Sequence, residues 1–137
     1  MNHVPMNDVP FVASLILCLG LSFTGVSTQA AEPRMDPVAK ENCIKACNEC
    51  LRACRECLIH GGCPACDKTC LTCTETCRAC VALMEYDSPL AKEMCKVCEE
   101  ACKQCAAECN KCGDMPHAKR CAEACKKCEE ACKALAM

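Results

Sequence analysis

An all-α fold, an antiparallel up-down-up-down four-helix bundle with a cysteine-lined core, is what this sequence predicts, and three observations predict it. Beyond residue 36 the cysteines step by alternating intervals of three and four. Proline, glycine and N-capping residues cut the same stretch into four segments of similar length, and the positions between the cysteines are mostly charged or small.

The segment boundaries come from local backbone chemistry. Asp36-Pro37 is an N-cap followed by proline at the first helical position, and Ser88-Pro89 repeats the pattern. Gly61-Gly62 with Pro64 makes one break, and Gly113-Asp114 with Pro116 makes another. The predicted helices are 37–59, 63–85, 89–112 and 116–135. Connections this short force antiparallel neighbours.

The spacing fixes which face of each helix looks inward. The first helix carries Cys43, Cys47, Cys50, Cys54 and Cys57, and the second Cys63, Cys66, Cys70, Cys73, Cys77 and Cys80. The third carries Cys95, Cys98, Cys102, Cys105, Cys109 and Cys112, and the fourth Cys121, Cys125, Cys128 and Cys132. Alternating three and four averages 3.5 residues, the seam period of packed helices, so each set lies on one narrow stripe. Glu99-Glu100, Lys126-Lys127 and Glu129-Glu130 fall on the far side, as a solvated outer face requires. Small residues such as Ala46, Ala53 and Ala101 precede many of the cysteines and let helices approach closely. Ile44, Leu51 and Leu58 recur beside the first stripe and widen the core.

Composition narrows the function. The chain has 137 residues, a formal net charge of −2 and interleaved acids and bases, so nothing in its charge favours a nucleic-acid or membrane-surface partner. Aromatic residues are limited to Phe11, Phe23 and Tyr86, and large aliphatic side chains are few beyond residue 31. Cysteine, present 22 times, must fill the interior. Residues 11–26 form an apolar run that ends in small residues, with a cleavage site after Ala30. This reads as a secretory signal over residues 1–30, since a membrane span needs about 20 apolar residues. Residues 31–36 are then a linker and 37–137 the exported bundle, with no membrane segment in the mature chain. Cys18 belongs to the signal, which leaves twenty-one cysteines, all on the stripes.

A ladder of this kind points to metal. Cysteine packs little volume as a lone core residue, so packing alone gives no reason to choose sulfur. Zn²⁺ prefers discrete tetrahedral sites presented by turns, and iron–sulfur clusters are wrapped by irregular backbone. Soft thiolates select Cu(I), which takes two or three sulfurs, and Cys-x-x-Cys or Cys-x-x-x-Cys on one helix supplies a pair. If each thiolate bridges two ions, capacity approaches one copper per cysteine, on the order of 20 per chain. A metallothionein-like Zn or Cd buffer, a disulfide-stabilised structural bundle and a redox or cluster protein stay open as alternatives. Catalysis is not expected, because thiols that all ligate metal leave no isolated nucleophile with its base.

The stretches CIKACNECLRACRECL (43–58) and CAEACKKCEEAC (121–132), within four such ladders over residues 37–137, resemble the bacterial copper storage proteins. That resemblance implies a bundle core that holds Cu(I) through paired thiolates, a homotetramer, and a mouth at one end lined with Met or His. Exported members carry a twin-arginine signal, which this chain lacks; export to the bacterial periplasm is the expectation by likeness. His60, Met115 and His117 match the mouth in kind and position, and as soft or borderline donors they suit Cu(I). Met84 and Met94 fall near the opposite end, where flexible thioethers plug gaps.

Overall fold

Asp36 opens the first helix as its side chain dictates: the carboxylate accepts a hydrogen bond from the Ala39 N–H at 2.8 Å, and Pro37 follows at a position that needs no donor. The computed structural model describes residues 34–61 and 63–137. The expected signal segment lies outside the described residues. Four helices follow one another, α1 (Pro37–His60), α2 (Pro64–Glu85), α3 (Ala91–Cys109) and α4 (Pro116–Ala136).

Each connection has a local cause. α1 stops at Gly61, whose φ of 72° is open to glycine and costly for most other residues. Pro64 then occupies the first turn of α2, and the residue before a proline is driven to extended backbone; Cys63 accordingly sits at φ −80°, ψ 151°. Between α2 and α3, Asp87 takes a left-handed φ of 48°.

Two helix boundaries differ from the sequence expectation. Ser88-Pro89 does not open α3 as Asp36-Pro37 opens α1. The Ser88 hydroxyl accepts from the Leu90 N–H at 3.3 Å and its carbonyl from the Ala91 N–H at 3.0 Å, so a tight turn precedes the helix and delays it to Ala91. At the far end of α3 the bonding tightens. Lys111 donates to the Glu108 carbonyl and Cys112 to that of Cys109, three residues back in each case, so Cys112 falls outside the helix.

α1 packs on α2 and α4, and α3 packs on the same two helices, so the four form a closed ring around one interior. The register is antiparallel throughout. Cys43 at the start of α1 meets Cys132 at the end of α4, Cys57 near the end of α1 meets Cys66 near the start of α2, and Cys80 near the end of α2 meets Cys95 near the start of α3. Ile44, Leu51 and Leu58 are half-buried and pack against this core, as their position beside the stripe requires. Charged pairs stay outside: Arg78–Glu75, Lys96–Glu93 and Lys111–Glu108 span single turns, and Arg120–Glu56 links α4 to α1. Exposed pairs of this type contribute little, about 0–1 kcal/mol each, so the interior must hold the bundle together.

Candidate metal centre

That interior is made of sulfur. Among the described residues nineteen cysteines carry free thiols and all are buried, each at most 1% exposed. The a/d spacing turns every stripe inward, and the small residues on the flanks let the stripes converge. Sulfur contacts then run the length of the bundle: Cys43 to Cys132 at 3.6 Å, Cys47 to Cys128 at 3.5 Å, Cys50 to both Cys73 and Cys125 at 3.5 Å, and Cys70 to Cys105 at 3.6 Å.

Grouped by mutual reach, these sulfurs form stacked quartets. Within each of the following sets all four Sγ atoms lie within 4.8 Å of one another: Cys43, Cys47, Cys80 and Cys132; Cys47, Cys77, Cys98 and Cys128; Cys50, Cys77, Cys102 and Cys128; Cys50, Cys54, Cys73 and Cys125; Cys54, Cys70, Cys105 and Cys121. Successive quartets share members. Cys47, Cys50, Cys54, Cys77 and Cys128 each belong to two of them, which turns a set of separate sites into one continuous ladder.

Protonation follows from crowding. Burial pushes the Cys57 and Cys66 thiols above the ordinary range, because a thiolate there would lose its hydration. Cys125 and Cys128 are held above it first by their bonds to Cys105 and Cys102, with burial adding to the effect. Cys50 and Cys105 are drawn down by bonds from Cys102 and Cys109. These crowded thiols share protons with their neighbours, so that ionising one shifts the next. A soft monovalent cation that replaces each proton keeps the interior near neutral, whereas bare buried thiolates would be very costly.

The two ends differ. His60 closes α1 and His117 lies in the first turn of α4, and their rings stack with centroids 5.5 Å apart and planes inclined by 27°. Met115 is the half-buried residue before Pro116 and packs against the core from the same end. The His117 Nε2 atom is buried without a hydrogen-bond partner among the described residues. At the other end Met84 is fully buried and Ala91 and Leu135 nearly so, and Met35, Leu83 and Met94 are partly buried against the core. Tyr86 is exposed.

Two of the expected ligands are placed differently. The spacing predicts Cys63 and Cys112 as helical rungs, but Pro64 holds one in extended backbone and the tightened end of α3 leaves the other in a turn. There they meet, with Cα atoms 5.8 Å apart, and are joined in a disulfide. Of the twenty-one cysteines expected on helical stripes, nineteen lie there as free thiols and the other two form one covalent pair beyond them. The sequence also gave no sign of Thr74. Its hydroxyl is buried without a partner among the described residues, one position after Cys73, where no spacing rule marks it.

Comparison with known proteins agrees with this geometry. No curated protein matches the chain. The solved Cu(I)-bound copper storage protein BsCsp3 is 34% identical with a TM-score of 0.68, the match covering 72% of this chain and 99% of that one. Apo copper storage protein 3 from Bacillus subtilis is 35% identical with the same TM-score and the same coverage of each chain. A family model described as copper storage protein matches residues 31–137, the whole bundle with its cysteine ladder, and the chain belongs to that family.

Proposed function

We propose that this protein binds many Cu(I) ions along the bundle core and stores or sequesters them, the nineteen free thiols acting as ligands. The observation that carries this reading is the sharing of sulfurs between neighbouring quartets. A thiolate that belongs to two sets is placed to bridge two ions, which Cu(I) accepts with its low coordination number. Sulfurs shared as Cys50, Cys77 and Cys128 are suit an ion that takes two or three ligands better than discrete zinc sites, each with four ligands of its own. The Cu(I)-bound state of the solved relative BsCsp3 supports the same choice.

An anaerobic Cu(I) titration of the fully reduced protein, run against a chelator and with Zn²⁺ as competitor, tests it. The expected plateau is close to one copper per cysteine, on the order of 20 ions per chain. Saturation at a few ions, or a preference for zinc, would hand the core to the Zn or Cd buffer reading.

His60, Met115 and His117 are the ligands proposed for the mouth, since two stacked imidazoles and a thioether gather at the one end that lacks a buried methionine plug. Replacing both histidines, His60→Ala with His117→Ala, is expected to slow loading several-fold while the plateau falls by no more than about two ions. A large drop in capacity would move these residues from the mouth into the store itself. The proposal extends to a periplasmic location with residues 1–30 as a cleaved signal, in keeping with a family match that starts at residue 31, and to a homotetramer. N-terminal sequencing and sedimentation velocity on protein recovered from the periplasm would read both.

A further inference from the structure

The covalent pair lies at a particular place. Cys63 is three residues from Cys66 and Cys112 three residues from Cys109, and the Cys66 and Cys109 sulfurs are 3.0 Å apart. The disulfide therefore sits one step beyond the last rung of the ladder, across the end where His60 stacks on His117. It ties the α1–α2 connection to the α3–α4 connection by a covalent bond, beside the stacked rings of His60 and His117. Cys63 is partly exposed and Cys112 is 7% exposed, while the other described cysteines are at most 1% exposed. Solvent and small solutes thus reach this pair before any other described cysteine.

We propose that Cys63 and Cys112 form a redox latch over the mouth, an inference that rests on the copper-storage reading. Closed, the disulfide clamps the two connections and withholds two ligands. Opened, it frees the connections and presents two thiols beside the imidazoles, where His117 Nε2 is buried without a partner among the described residues. The opening step is thiol–disulfide exchange with a low-molecular-weight thiol. Its thiolate attacks the more exposed Cys63 sulfur, forming a mixed disulfide and expelling Cys112 as thiolate, which takes up the proton the attacking thiol released. A second external thiol attacks the mixed disulfide and releases Cys63. Two external thiols are oxidised to one disulfide, and the protein gains two thiols. Met84, Ala91 and Leu135 are buried at the opposite end, which leaves the latched end as the route the proposal assigns to ions.

The test uses the intact protein in two states, fully reduced and then mildly reoxidised with the disulfide of a small thiol. Alkylation and peptide mapping of the reoxidised sample should recover one cross-linked peptide pair, Cys63 with Cys112, and alkylated thiols elsewhere. Cu(I) uptake from a weak chelator should be at least about ten-fold slower in the reoxidised state, because ions must wait for the gate. The double variant Cys63→Ser with Cys112→Ser should load at one rate whichever pretreatment it receives. Equal uptake rates in the two wild-type states, or a map in which Cys63 and Cys112 are both alkylated after reoxidation, would overturn the latch while a full plateau in the reduced protein left storage standing. A reduced protein that saturates at a few ions would overturn storage first.

Discussion

Filling the reduced bundle with Cu(I) is expected to raise its thermal unfolding midpoint by on the order of 20 °C or more. The reason lies in what the apo core lacks. Its buried side chains are small: cysteines, a few alanines, one threonine, Leu135 and Met84. Each contributes less burial than the leucines and aromatics of an ordinary bundle, so the apo protein should fall in the lower part of the usual range of about 5–15 kcal/mol. Ions that bridge sulfurs from different helices bind only the folded chain in that manner. One such site held at a hundred times its dissociation constant adds about 2.7 kcal/mol, and the ladder contains many. The unfolded chain keeps its Cys-x-x-Cys pairs and still binds some copper, which trims the gain without removing it. Since about 4–8 °C accompanies each kcal/mol in a domain of this size, even two cross-helix sites are visible. Far-UV circular dichroism on apo and loaded protein, followed by stripping with a Cu(I) chelator, measures it. Identical midpoints would mean that the ions sit outside the helical interface.

The second large effect concerns the shared rungs. Cys50 and Cys128 together take part in three of the quartets, and they meet in one of them. Replacing both with serine removes two sulfurs, yet if each bridges two ions the capacity should fall by about three to four. Two buried hydroxyls without partners would also cost about 1–3 kcal/mol each. The pair Cys50→Ala with Cys128→Ala removes the same sulfurs without introducing hydroxyls, so agreement between the two variants in copper count isolates ligand loss from misfolding. A fall of only one or two ions would show that each thiolate serves a single ion and that the continuous ladder is not used as one.

Much of this was legible from residue order. Steps of three and four place a side chain on one stripe whatever its identity, and the Asp36-Pro37 and Gly61 signals act over one turn, so helix number and inward face could be read directly. What could not be read is which sulfurs of different helices share a layer. That register depends on how the connections close, and there the local rules competed. Ser88-Pro89 has the same form as Asp36-Pro37, yet the hydroxyl of Ser88 closed a turn on Leu90. Cys63 and Cys112 keep the ladder's spacing in the sequence, but Pro64 and the tightened last turn of α3 took them off it. Their separation of 49 residues hides the bond that results. The meeting of His60 with His117 follows from the same closure: sequence placed them at one end, and only the folded connections bring the rings face to face.

The plug formed by Met84 has an outcome of its own. A tunnel with two openings would let cargo pass straight through, so that the oldest ion left first. With the mouth proposed at His60 and His117 and Met84 buried at the other end, whatever goes in early would be walled in by later arrivals. On that proposal discharge would run in reverse order of filling: the ions nearest His60 and His117 would turn over readily, while those beside Cys43 and Cys132 would make up a deep reserve, released once the shallower rungs stand empty.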